Sequence, residues 1–240
     1  MQQQYRQGKT KSCRCCSCRR LAKFNTDSLF RSPTVGWRHQ SGGGTSTGIQ
    51  HVSPHTCVCG TKVDTRGLHG LACKKSGPRH IRHAMINDII LRAIKKAQVP
   101  ACKEPVGLSR EGAKRPDGAT LIPWHRGKLM AWDVTVPDTY ALSHLDSTSL
   151  QAAADNAAIA KKTKYTGITN TNIFIPVAIE TGGQWHAEAT ELIQDIGKTI
   201  TLISGKTQET AYLFQHISVA IQKGNSLAYL STFQTNESNC

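Results

Sequence analysis

Apolar residues recur at helical spacing from His80 to Ala97, with Ile81, Met85, Ile89, Ile90, Ala93, Ile94 and Ala97 on one side. The pattern predicts an amphipathic helix, preceded by Pro78 and ended by Pro100. The period then changes to two. Asp117 to Ile122 and Leu129 to Val136 read as the arms of a hairpin, with Pro123-Trp124-His125-Arg126-Gly127 as its turn and Pro137 closing the second arm. An Ala-rich stretch from about Ser149 to Tyr165 favours helix by propensity. Ile173 to Glu180 is a short β-branched run of the kind buried strands carry. Two further amphipathic helices are expected near His186–Ile203 and Glu209–Lys223, the second stopped by Gly224-Asn225.

In chain order these elements run helix, strand, strand, helix, strand, helix, helix. Such a series predicts an α/β fold, a small mixed sheet flanked by helices, with a parallel crossover from Val134 to Ile179. Residues 1–50 have no useful period. They pass from a Gln-rich start through a Cys/Arg run to Ser-Gly-Gly-Gly-Thr-Ser-Thr-Gly, and are expected to be disordered. Residues 51–77 form a separate Gly-rich segment, leaving 78–235 for the α/β domain.

Charge sharpens this picture. Residues 1–50 carry nine Lys/Arg against the single acid Asp27, residues 51–128 fifteen against five, and residues 129–240 six against ten. The net +14 therefore sits in the front half and around Lys114-Arg115, which points to a polyanionic partner. Nine cysteines suggest a secreted scaffold, but residues 1–25 carry no apolar leader. The close spacings Cys13/Cys15/Cys16/Cys18 and Cys57/Cys59 suit metal or reduced thiols better than disulfides. The longest apolar run, Ile173 to Ile179, is far too short to span a membrane. A soluble intracellular protein is expected.

Two carboxylates carry the candidate chemistry. In a regular hairpin centred on His125, paired residues sum to 250, so Asp117 faces Asp133 and Leu121 faces Leu129. Opposed side chains share a face with Cβ atoms about 4.5–5.5 Å apart. Two such acids repel, and a divalent cation, Mg²⁺ for phosphate chemistry, would relieve them. A bland alternative has Asp117 merely opening a Pro-Asp-Gly turn. It leaves Asp133, between Trp132 and Val134 in an apolar strand, unexplained. Lys161 and Lys164 share a helix face; a transition-state cation and a solvated helix end are both open readings.

Cys57-x-Cys59, His69 and Cys73 offer four ligands for a closed tetrahedral Zn²⁺ site in a segment too poor in apolar residues to fold alone. Reduced surface thiols are the alternative, and His80 or His83 could replace a ligand. His80, His83 and Asn87 share a ridge opposite the apolar stripe, beside Arg79 and Arg82. A DNA-backbone contact and an ordinary solvated face both suit it. Glu180 at a strand end offers a third carboxylate to the site, but a strand-end Glu more often meets solvent, and it is left out of the catalytic set.

Taken together these stretches resemble a known family. They are His55-Thr56-Cys57-Val58-Cys59-Gly60, Gly67 through Cys73, Arg79-His80-Ile81-Arg82-His83, Lys114-Arg115-Pro116-Asp117-Gly118, Trp132-Asp133-Val134-Thr135, Lys161 through Tyr165, Pro176 through Glu180 and Ala220 through Asn225. The run from Pro54 to Phe233 is similar to the C-terminal region of reverse-transcriptase polyproteins from animal non-LTR retrotransposons of the restriction-like-endonuclease class. The resemblance implies a CCHC zinc knuckle (Cys57, Cys59, His69, Cys73) before a PD-(D/E)xK nuclease of restriction-endonuclease-like fold, which nicks DNA in the nucleus. It implies Asp117 and Asp133 as Mg²⁺ ligands. Thr135 stands where the motif's name places Lys, so the resemblance points to Lys161 or Lys164 for the cation. Arg79, His80, Arg82, His83, Lys114 and Arg115 would contact nucleic acid. DNA is the implied partner, with element RNA and a polymerase in trans beyond it. No polymerase domain is present, so a truncated copy is expected, and an inactive nucleic-acid-binding remnant is the rival reading.

Overall fold

The protein is described here from a computed structural model covering residues 53–75, 77–108, 115–140 and 152–233. The readings of residues 1–50, of Cys13 to Cys18 and of Lys114 lie outside the described residues. In chain order the elements are β1 (His55–Thr56), β2 (Lys62–Val63), α1 (His69–Ala72), α2 (Pro78–Lys96), β3 (Ala101–Lys103), β4 (Gly118–Thr120) and β5 (Met130–Thr135). These are followed by α3 (Ala152–Lys164), α4 (Thr166–Thr169), β6 (Ile173–Ala178), α5 (Ala187–Ser204) and α6 (Glu209–Leu230).

Strands β3 to β6 form one sheet in the order β3-β4-β5-β6. Both β3–β4 and β4–β5 are antiparallel, while β5–β6 is parallel with α3 in the connection. The fold is therefore α/β with a small mixed sheet. Alternation along β5 sends its side chains to two separate cores. Met130, Trp132 and Val134, with Val177 and Ile179, pack among α2, α5 and α6. On the other face Ala131 joins Ala119, Phe174, Tyr165 and Ile168, and beside them Ala178 meets Ala154 and Ala158 of α3. The small alanines of α3 let it lie close to the sheet, which carries its lysines toward β5.

Strand β3 was not expected, because three residues after a helix-ending proline leave no periodic trace. Helix α6 also continues through Gly224-Asn225 to Leu230 rather than stopping there. The reason lies in packing. A Cβ on Gly224 would come within 2.5 Å of the Arg82 Cβ and Cγ, so the glycine makes room for the Arg82 stem. Asn225 in turn accepts a 2.6 Å bond from the Arg82 guanidinium and donates one of 2.9 Å to the Thr181 carbonyl.

Helix α2 forms where its periodicity placed it, but its first turns face differently. Ile81 is exposed, whereas Arg82 and Asn87 are buried together with Ile86, Ile89, Ile90, Ala93 and Ile94. The inward stripe is apolar at the C-terminal end of α2 and polar at its N-terminal end. Among the described residues no helix is long and apolar enough to cross a membrane.

Candidate functional site

The hairpin register is the one expected. Gly118 pairs with Trp132 and Ala119 with Ala131, and one further step sets Asp117 opposite Asp133. Gly118 is not a turn residue here. It lies in β4, and a Cβ on it would fall 2.1 Å from the Trp132 indole, so only glycine lets the strands pair over that ring. The expected ladder does not run on to Leu129. Beyond Thr120 the arms part, Leu121 is exposed, and the loop closes instead through His125 and Lys128.

At Asp117 the main-chain ladder gives way to the side chain. Asp117 Oδ2 accepts a 2.6 Å bond from the Val134 N–H and one of 2.9 Å from His83 Nε2. The same Nε2 lies 3.1 Å from the Val134 carbonyl. Both neighbours are acceptors, so Nε2 carries the hydrogen. The Asp117 bond raises the His83 pKa above its ordinary value, against the burial that lowers it. One turn along α2, Asn87 donates to the Asp117 carbonyl at 3.3 Å and accepts from Trp132 Nε1 at 2.9 Å.

Asp133 is held from the opposite helix. Its Oδ1 lies 2.8 Å from the Tyr165 hydroxyl, which lies 2.7 Å from the Arg115 carbonyl; one proton serves both acceptors. Burial and the neighbouring Asp133 push the Tyr165 phenol well above its ordinary range, so it stays protonated and can donate. The Lys161 ammonium makes an ion pair with Asp133 Oδ2. Lys164 stands one link further out, donating to the Tyr165 oxygen at 3.0 Å. Of the two candidate lysines, Lys161 is the one that meets the carboxylate.

This arrangement corrects one expectation. Repulsion between the acids does not require a metal, because Lys161 and His83 each place a cationic or hydrogen-donating group on one of them. The donor set nonetheless fits a hard divalent cation. Asp133 Oδ2 meets the Lys161 ammonium, and the two bonds to the Asp117 carboxylate both fall on its Oδ2.

Three further expectations are corrected. Arg82 is not a nucleic-acid contact: it is 2 % exposed, locked against Gly224 and Asn225, and burial lowers its pKa. His83 bonds the Asp117 carboxylate while its side chain stays 39 % exposed, whereas Asn87 is buried rather than on a solvated face. Glu180 does not meet solvent. It is buried, and its carboxylate accepts a 3.1 Å bond from the Ala154 N–H in the first turn of α3, where a negative charge complements the helix dipole. Arg79, His80 and Arg115 are exposed.

The second cluster is local. A β1–β2 hairpin and the single turn α1 bring Cys57, Cys59, His69 and Cys73 together, their ligand atoms all within 4.8 Å of one another. Zinc–sulfur bonds of about 2.3 Å at tetrahedral angles set two sulfurs about 3.8 Å apart. Cys57 Sγ lies 3.8 Å from Cys73 Sγ, and Cys59 Sγ 3.1 Å from His69 Nε2. Hydrogen bonds to the Thr61 side chain and backbone hold the Cys59 thiol down to about 6, whereas burial pushes Cys57 up. The cluster can hold a metal such as zinc. It docks on the end of α6, where His55 Nε2 bonds Thr232 Oγ1 at 2.8 Å and its ring stacks on Phe233 at 4.1 Å.

Neither His83 nor Tyr165 was read from sequence as part of the carboxylate site. The signal for His83 was its four-residue spacing from Asn87, which marks one shared face; that face meets the ribbon at Asn87 and His83, with His83 still partly exposed. No protein-family model and no curated protein matches the chain.

Proposed function

We propose that the protein is a metal-dependent DNA endonuclease module of the restriction-like type, built on Asp117 and Asp133 and accompanied by a zinc knuckle. The observation that carries this reading is a buried, ion-paired Asp133 on β5 beside a second carboxylate, Asp117, just before β4. Asp117 stands one residue before the Gly118–Trp132 pair, Asp133 one residue after it, and Lys161 from α3 is ion-paired to Asp133. Folding alone has little use for a buried acid at this point of an apolar strand, since charges are costly to bury.

Asp117 and Asp133 would hold the catalytic cation, Mg²⁺ being the expected one. When bound it would neutralise the scissile phosphate and lower the pKa of an attacking water. The chain's own groups do the rest. Val134 N–H and His83 fix one Asp117 oxygen, and Tyr165 fixes one Asp133 oxygen. Lys161 places a fixed positive charge where negative charge develops on the phosphate. The exposed Arg79, His80 and Arg115 offer contacts to the DNA backbone. Cys57, Cys59, His69 and Cys73 would hold Zn²⁺.

A second reading, a nucleic-acid-binding remnant that no longer cuts, draws on one specific observation: Lys161 and His83 already balance both carboxylates. Purified protein on supercoiled plasmid with Mg²⁺ separates the two. The endonuclease reading predicts open circles that vanish with Asp133→Ala and persist with Lys198→Ala on an exposed helix face. Binding that weakens with salt, without any nicking, supports the remnant instead.

A further inference from the structure

The strongest unassigned feature is the double grip of α2 on Asp117. His83 and Asn87 stand four residues apart, so they present side chains one above the other on one helix face. His83 reaches the Asp117 carboxylate and Asn87 the Asp117 carbonyl. Neither contact is incidental. Nε2 of His83 bridges Asp117 Oδ2 and the Val134 carbonyl, tying both strands of the ribbon to the helix. Asn87 is buried and uses both ends of its amide, accepting from the Trp132 indole while donating to Asp117.

We infer that His83 is a positioning residue for metal binding, which commits Asp117 Oδ2 and thereby leaves Oδ1 as the ligating oxygen. This rests on the endonuclease reading. A carboxylate with both oxygens free rotates about its last torsion and presents two equivalent donors. With two hydrogen bonds on Oδ2, one from the Val134 backbone and one from His83, Asp117 offers a single preset donor. The Val134 N–H engages one side of Oδ2, and His83 adds a second donor to the same oxygen, so both of its lone pairs are committed. Partners of this kind, hydrogen-bonded to a metal ligand, each contribute about 10–100-fold to metal affinity or activity.

The test uses the full zinc-loaded chain, with Mn²⁺ as the probe. Its binding is followed by the loss of the free-ion paramagnetic resonance signal, and nicking of plasmid is measured on the same samples. His83→Ala is expected to raise the half-saturating Mn²⁺ concentration about tenfold or more. His83→Gln, whose amide can still donate, is expected to recover most of that loss. Melting temperatures accompany each variant, and a lowered affinity in a fully folded His83→Ala sample supports the inference. Unchanged Mn²⁺ affinity in His83→Ala overturns it, as does His83→Gln behaving like alanine. If the wild-type chain binds Mn²⁺ and nicks while His83→Ala matches it, this inference alone fails. If the wild-type chain neither binds nor nicks, the endonuclease reading fails and takes this inference with it.

Discussion

The two polar side-chain clusters of this protein are assembled in opposite ways. Cys57, Cys59, His69 and Cys73 come from one short stretch of chain whose own core is no more than the two buried cysteines, Val63 and Cys59. Asp117, Asp133, Lys161, His83 and Tyr165 come from α2, the β4–β5 ribbon, and α3 with the residue after it, and they sit against the two main cores of the sheet. The first cluster has almost no reason to fold without a metal. The second is held by the protein itself, through packing and through hydrogen bonds that satisfy its acids. A metal would therefore be structural in one place and, in the proposed reading, a reagent in the other.

The sharpest way to break this comparison is to remove zinc. A structural zinc site contributes about 10 kcal/mol or more of folding free energy to its own segment. A high-affinity chelator should expose residues 57–73 to proteolysis and hydrogen exchange. Trp124, Trp132 and Trp185 lie outside that segment, so their fluorescence should not change. A common unfolding of both regions would mean that the knuckle, docked on α6 through His55, Thr232 and Phe233, is part of the main core.

Next in size is the effect of the two lysines on nicking. In the proposed reading Lys161→Ala removes a fixed charge that would lie beside the scissile phosphate, and a loss of about 10²–10³-fold in turnover is expected. Lys164→Ala acts only through Tyr165 and should cost about tenfold. Equal losses, or a larger one at Lys164, would show that the ion pair with Asp133 is not the catalytic contact.

Gly118→Ala probes the preorganisation of the ribbon. The added methyl would overlap the Trp132 ring, and overpacking of this kind costs about 1–3 kcal/mol, read as a lowered midpoint in urea. The knuckle should keep its zinc in this variant. Smallest is Glu180→Gln, which keeps a hydrogen-bond acceptor for Ala154 but loses the charge at the α3 N-terminus. It is expected to cost about 0.5 kcal/mol and to leave nicking intact. A fully folded Glu180→Gln protein that cannot nick would place Glu180 among the metal ligands.

How much of this was legible in the sequence follows from the same contrast. The cysteine–histidine cluster was readable because its residues are near neighbours and the chemistry of Cys and His at that spacing is restrictive. The opposition of Asp117 to Asp133 was readable because hairpin register is simple arithmetic around a turn. What supports those acids was not. His83 and Asn87 look like a solvent-facing ridge, since α2 is apolar on its other side, yet the helix rotates its polar N-terminal turns inward to meet the ribbon. Arg82 looked like a phosphate contact because sequence carries no sign that Gly224 on a distant helix makes room for its stem. Strand β3 is too short to show a period, and Glu180 was misread because its partner, the first turn of α3, is remote in the chain.

Whether the two carboxylates form one cation site is read directly by anomalous diffraction from crystals of the zinc-loaded protein grown in Mn²⁺. A manganese peak contacted by both Asp117 and Asp133 is expected, distinct from the zinc peak at Cys57, Cys59, His69 and Cys73. A manganese-free ribbon, with Lys161 still bound to Asp133 and His83 to Asp117, would contradict it.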